Sequence, residues 1–598
     1  MKSKLLPFLV PFLFLVLAVP LRSQEVPSGG ESLFAKPALE AIQLNGEKGK
    51  LERVAVTGQA FHEALQLTTL EATQDPWGVQ VDAPVDFPVH QGDVVLAQFW
   101  MKSDASHVES GEAQSEFVFE RLGDPWTKSV SFNLSVGPQW RLFNIPFTVV
   151  EDLEKGKSHI CFRMGYRPQS FELAGFKLLN YGKKVALSAL PQTQLVYGGM
   201  EADAPWRKAA QERIERIRKG DLRVVVKDAK GRPVPGAQVR VEMERNDFGF
   251  GTAVVAQKLA LATPENDRYQ KEVERLFNRV VFENDLKWGP WEDGASNSGY
   301  WRRDYVKGAM AWLSKRDFDV RGHNMVWGTW RYLPPEVKAL SSDKKALEAK
   351  IEERIADVGG AMKGQLVEWD VVNEPVPEHE LTDILGRSAM VTWYQAARRA
   401  DPKAVLFVND YPGPDTIGHL ESYDQTIAFL LQEGAPLGGV GLQGHVGSSP
   451  WSIPALLSTL DKLGAHGLPV EITEYDTDIA DEELDARFLG DFLTAVFSHP
   501  SVNAFLMWGF WDGAHWHHKA PLFKEDWTEK PAGKVYEDLV LHRWWTREAG
   551  KTDGQGDYQV RGFLGDYKIV VLDGRTEVTQ RVHLVKQGAR VEFTLKRP

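Results

Sequence analysis

Two short stretches place carboxylates where carboxylates are costly. "WDVVNEP" ends an apolar run on Asn373 and Glu374, and "VEITEYD" brings Glu474 and Asp476 to the end of another. A run of Val, Ile and Trp that finishes on an acid gains nothing in packing by doing so. Two acids far apart in the chain but gathered in one place can do acid–base work. One carboxyl, kept neutral, protonates a leaving oxygen; the other, ionised, attacks carbon or activates water. Each glutamate alone would serve equally well as a buried salt-bridge partner. The recurrence of the pattern argues for a site: "FENDLKW" carries Glu283, Asn284 and Lys287, "RGHNMVW" carries His323 and Trp327, "VNDY" carries Asn409 and Asp410, "GLQGH" carries Gln443 and His445, and "MWGFWDGAHW" carries Trp508, Trp511 and Trp516.

These groups need a scaffold that collects strand ends. Eight apolar runs, at 248–254, 279–288, 320–327, 366–374, 404–411, 439–445, 468–476 and 502–512, alternate with amphipathic segments such as "PENDRYQKEVERLFNRV". That count and spacing predict a (β/α)8 TIM barrel, whose active sites lie at the C-terminal strand ends. An open doubly wound sheet is the alternative, but no glycine-rich phosphate loop opens the first unit. Glu374 then ends the fourth strand and Glu474 the seventh. Gln443 and His445 end the run before that of Glu474, and their donors would hold it ionised. Glu374 is therefore read as acid/base and Glu474 as nucleophile.

The rest of the chain divides around this barrel, placed at 248–548. Residues 1–23, "MKSKLLPFLVPFLFLVLAVPLRS", have the basic start and apolar stretch of a signal peptide, predicting a secreted, periplasmic or cell-surface protein. Residues 24–190 alternate with period two and predict a β-sandwich of jelly-roll type. A charged helical linker follows at 191–220, then strands at 221–247 that could pair with a C-terminal β element at 549–598. The formal charge of −12 argues against a nucleic-acid or anionic-membrane partner. Cys161 is the only cysteine, so an intrachain disulfide is impossible. Among Trp77, Trp100, Trp126, Trp140 and Tyr166, most are expected in the core, with one or two exposed rings suited to polysaccharide. His515, His517 and His518 crowd one loop, but their spacing fits no usual metal ligand set. No metal and no cofactor are expected.

In order and spacing, "FENDLKW", "RGHNMVW", "WDVVNEP", "VNDY", "GLQGH", "EITEYD" and "MWGFWD" with its following Trp resemble glycoside hydrolase family 10, the retaining endo-1,4-β-xylanases, over about residues 245 to 545. The stretch "GYRPQSFELAGFKLLNYG" is similar to carbohydrate-binding jelly rolls. The resemblance implies xylan or xylo-oligosaccharide as substrate, with Glu374 as proton donor and Glu474 as nucleophile. It implies that Glu283, Asn284, Lys287, His323 and Trp327 hold sugar on the non-reducing side of the cut. Asn373 would meet the 2-hydroxyl, Gln443 and His445 would orient the nucleophile, and Trp508 and Trp516 would roof the site. Insoluble plant polysaccharide is the partner implied for the N-terminal region. The third strand departs from the family's Trp-His-Ser-Gln stretch: here it runs "WGTWRYLP", with Gly328 and Trp330 at polar positions. A related glucan-active β-glycanase, or a non-catalytic polysaccharide-binding protein, are the alternatives.

Overall fold

The computed structural model describes residues 26–106, 113–193, 196–414, 417–447 and 450–595. The predicted signal peptide lies outside the described residues.

The N-terminal region is a two-sheet antiparallel sandwich. Its six-stranded sheet contains Glu31–Ser32, Gly49–Ala55, Glu63–Thr69, Val94–Ser106, Arg141–Thr148 and Gln169–Asn180; its five-stranded sheet contains Gln43–Asn45, Gln80–Pro84, Ala113–Arg121, Lys128–Val136 and Ser158–Arg163. The period-two pattern explains the core between them. On Ser158–Arg163, Ile160 and Phe162 join the inter-sheet cluster, so His159, Cys161 and Arg163 face the other way.

The described part of the segment read from sequence as a linker, from residue 196 to 220, is strapped to the barrel. The helix Pro205–Ile217 packs on the helix Glu482–Ser498. Tyr197 donates to Asp491 at 2.8 Å, and Arg213 donates to Ser498 Oγ at 2.9 Å. The strands on either side of the barrel pair with one another. Lys219–Asp228 lies between Asp557–Phe563 and Ala589–Leu595, and Gln238–Asn246 lies between Arg547–Lys551 and Gly565–Asp573. Val226, Val241, Ile569 and Phe593 of these strands belong to the same apolar cluster as the barrel core.

The barrel closes from eight parallel strands: Gly249–Val254, Arg279–Phe282, Asp319–Gly322, Glu368–Asn373, Val405–Asp410, Gly439–Leu442, Val470–Tyr475 and Val502–Met507. The third is interrupted and resumes as Val326–Trp327, and both pieces pair with the fourth. A side chain at Gly322 would meet the Trp369 ring at 2.2 Å, so only glycine lets these strands approach.

The lower barrel interior is ionic rather than apolar. Arg321, fully buried, donates to both oxygens of Asp370, to Glu368 at 3.1 Å and to Glu471 at 2.9 Å. Arg279 donates to Glu368 at 3.3 Å and to Glu471 at 2.8 Å. Two guanidinium groups thus lie among three carboxylates, the arrangement under which loss of one partner costs far more than its presence gains.

Candidate active site

Glu374 follows directly on the fourth strand and takes a left-handed backbone conformation, φ +53°. Its N–H donates to the Asn409 carbonyl at 2.7 Å, which fixes the turn. Its carboxylate accepts from Trp327 Nε1 at 2.9 Å and from Gln443 Nε2 at 2.9 Å. Burial, reinforced by the charges of Glu474 and Asp410, pushes Glu374 up to about 7 against these two donors.

Glu474 lies on the seventh strand in the opposite electrostatic setting. Asn409 Nδ2 donates to Oε1 at 2.6 Å, His445 Nε2 sits 3.4 Å from Oε2, and His323 Nδ1 lies 3.9 Å from Oε1. Burial alone would raise this carboxyl, but His323, His445 and Lys287 outweigh it and hold Glu474 below the ordinary glutamate value. His445 is itself clamped between Glu474 and Asp476, with Nδ1 2.7 Å from Asp476. Burial works against its charge, yet Asp476 and Glu474 push it up to about 10, so both ring nitrogens donate near neutral pH.

Around the pair, Lys287 donates to Asn284 at 2.9 Å and lies 5.2 Å from the Trp327 ring and 5.6 Å from the Trp508 ring. Burial lowers Lys287 while Glu474, Glu283 and Glu374 oppose the shift; burial raises Glu283. Trp508 packs edge-on against His323 at 5.0 Å, and Trp516 lies 5.4 Å from His445 with its indole donating to Asp476 at 2.6 Å. The twelve residues to which the resemblance gives roles gather around this mouth, whereas Trp511 stacks on Trp527 at 4.4 Å.

One predicted contact is different. Gln443 donates to Glu374 and not to Glu474. Gly444, at φ +87°, turns the chain between Gln443 and His445, so side chains that would share a face in a straight strand diverge to the two carboxylates.

Asn409 was visible only as part of a polar strand end. It donates to Glu474 and to Asn373 Oδ1 at 2.8 Å, while its own oxygen accepts from Thr473 at 2.7 Å. Asn409→Ala should therefore lower kcat/KM about 10- to 100-fold, the range for one hydrogen bond to a charged group. The acid limb of its pH profile should move upward, because Glu474 loses a donor that favours its ionised form.

The three histidines of the eighth-strand loop do not converge on a ligand set. His515 is buried; its Nδ1 accepts the N–H of His517 at 3.2 Å and of Lys519 at 3.3 Å, which turns Nε2 toward Asp476 at 3.7 Å. Burial pushes it down to about 4, a neutral brace for the loop. His517 packs on Trp516 at 3.6 Å between ring centroids. In the divergent third-strand loop, Tyr332 stacks on Trp327 at 4.1 Å.

A closed parallel barrel with two buried, oppositely poised carboxyls at its C-terminal mouth defines a class, the glycoside hydrolases. The chain belongs to glycosyl hydrolase family 10, whose profile matches residues 240–538. It is 33% identical over 398 residues to the anti-sigma-I factor RsgI6 of Acetivibrio thermocellus, covering 66% of this chain and 50% of that protein. It is 30% identical over 369 residues to endo-1,4-beta-xylanase 1 of Arabidopsis thaliana, covering 61% of this chain and 38% of that protein. The chain spans half or less of the length of these relatives. Among solved structures, a GH10 endoxylanase from a sugarcane soil metagenome superposes with a TM-score of 0.44 at 26% identity, over 49% of this chain and 97% of that one.

Proposed function

We propose that the chain is a secreted retaining endo-1,4-β-xylanase. The observation that carries this reading is the setting of two buried carboxyls at one barrel mouth: Glu374 accepts from Trp327 and Gln443, with burial raising it, while Glu474 accepts from Asn409 beside His323 and His445, which lower it against burial. In the first step Glu374 gives its proton to the glycosidic oxygen as the Glu474 carboxylate attacks the anomeric carbon. The C–O bond breaks and the glycosyl ester forms on Glu474. In the second, water yields its proton to the Glu374 carboxylate and its oxygen displaces Glu474 from the same carbon. Two inversions retain configuration. Asn373, whose oxygen is taken by Asn409, keeps its amide N–H groups for the sugar 2-hydroxyl. Glu283, Asn284, Lys287, His323 and Trp327 hold the sugar on the non-reducing side, and Trp508 and Trp516 cover it.

The name of the Arabidopsis relative supports xylan as the substrate class, whereas the name of the Acetivibrio relative describes a regulatory factor. A reducing-sugar assay on soluble xylan, with sizing of products, separates the readings. Internal cleavage to short oligosaccharides supports the proposal; cleavage of β-glucan but not xylan, or of neither, refutes it. The N-terminal apolar stretch supports export, which sequencing of the mature N-terminus from the culture medium tests.

The same assignment fixes the pH dependence. Glu374 must be protonated and Glu474 ionised, so kcat/KM should fall as pH rises through about 7 and again as pH drops below the ordinary glutamate range. A profile still rising at pH values well above about 7 would contradict the role given to Glu374.

A further inference from the structure

The stretch "WGTWRYLP" folds back on its own first tryptophan. The Thr329 N–H donates to the Trp327 carbonyl at 2.9 Å, and the Tyr332 N–H donates to the Thr329 carbonyl at 3.3 Å, which makes two successive tight turns. A Cβ on Gly328 would stand 2.5 Å from the Glu378 carbonyl oxygen, so glycine lets this turn press against the segment that follows Glu374. The Gly328 carbonyl accepts from the Leu381 N–H at 3.3 Å, and Trp330 packs on the apolar cluster of the barrel. Both departures from the polar family stretch thus anchor the turn.

The fold-back lays the Tyr332 ring on the Trp327 indole, with centroids 4.1 Å apart and planes 22° from parallel. Arg331 lies 5.0 Å from the Tyr332 ring, and Lys287 lies 5.2 Å from the Trp327 ring. Trp327 ends the short strand Val326–Trp327, so its neighbours, not a continuing ladder, fix the direction of its indole. That direction matters, because Nε1 donates to Glu374 Oε2 at 2.9 Å and such a bond weakens steeply as its angle closes. Tyr332 is 43% exposed; its ring covers the indole without filling the core.

We propose that Tyr332 is a positioning residue for the reaction: its ring holds the Trp327 indole in the plane that aims Nε1–H at the Glu374 carboxyl. Gln443 tethers one oxygen of that carboxyl and Trp327 the other, so together they fix its plane toward the leaving oxygen. The inference rests on Glu374 as general acid of the proposed xylanase. The charged and titratable groups that face Glu374 are Glu474, Asp410, Lys287 and Tyr411, and all four stay in place when Tyr332 is replaced.

Two substrates with one glycone separate positioning from sugar contact: phenyl β-xylobioside, whose leaving oxygen must be protonated, and dinitrophenyl β-xylobioside, whose leaving oxygen need not be. Tyr332→Ala should lower kcat/KM about 10-fold on the phenyl glycoside, the scale of weakening one hydrogen bond to a charged group, and less than about 2-fold on the dinitrophenyl glycoside. The limb of the phenyl profile near pH 7 should move upward, because the ionised Glu374 loses a donor that favours it. Tyr332→Phe should recover most of the loss, and Tyr332→Ala added to Glu374→Ala should cost nothing further. Against an active parent, equal losses on both glycosides, a limb that stays put, or a Phe variant as impaired as the Ala one overturns the proposal alone. A parent that cleaves neither glycoside refutes the xylanase reading and the proposal with it.

Discussion

Glu474→Gln is expected to abolish turnover of xylan, with kcat reduced by about 10^4- to 10^6-fold, the scale seen when a covalent nucleophile is removed. The amide is nearly isosteric and keeps a partner for Asn409, so the fold should survive; what disappears is the negative oxygen that His323, His445 and Lys287 stabilise. Glu374→Ala should behave differently. On xylan, loss of the general acid should cost about 10^2- to 10^4-fold. On nitrophenyl xylobioside, whose leaving group departs without a proton, the first step should be largely spared, and the limb of the pH profile near pH 7 should vanish. Steady-state kinetics on the two substrates checks both statements. Equal losses on both would show that Glu374 does something other than protonate the leaving group.

The largest stability effect is expected from Arg321→Met. Arg321 is fully buried and bonds Glu368, Asp370 and Glu471; without it the one remaining guanidinium is Arg279, which reaches Glu368 and Glu471 but not Asp370. Methionine fills much of the volume but none of the charge, and an orphaned buried ion costs about 3–5 kcal/mol. Asp370 also holds His323 at 3.0 Å, so the damage should reach the Glu474 carboxylate through that ring. Scanning calorimetry should show a barrel transition lowered by about 10 °C. The deficit should shrink as pH is lowered: orphaned carboxyls have raised pKa values in the folded state, so the fold recovers stability as they take up protons. A variant as stable as the parent at every pH would mean that the network is already neutralised by shared protons.

The sequence was informative about this molecule where period and residue type coincide. Strand runs such as "AVLFVND" read as buried on both faces because every position before the last two is apolar, and their polar last residues then stand out. Arg279, Arg321, Glu368 and Glu471 did not stand out. They sit at strand starts, where a charged residue is indistinguishable from an exposed one until the barrel closes around it. Asn409 was legible as polar, but its role in joining two strands depends on which neighbours the barrel brings alongside. The divergence of Gln443 from His445 hangs on one positive φ at Gly444, which no alternation rule foresees. The strap at 196–220 looked like a linker because it is charged; its arginines turn out to bind carbonyls and Asp491 on the barrel.

Mass spectrometry of the protein after reaction with a 2-deoxy-2-fluoro xylobioside bearing a good leaving group examines the paired-acid mechanism at its decisive atom. The fluorine slows both steps and the good leaving group restores only the first, so the covalent species should accumulate. Glu474 as nucleophile requires one added glycosyl mass, carried by the peptide that contains Glu474 and absent from Glu474→Gln. A label on any other side chain, or product formed with inverted configuration and no adduct at all, would contradict it.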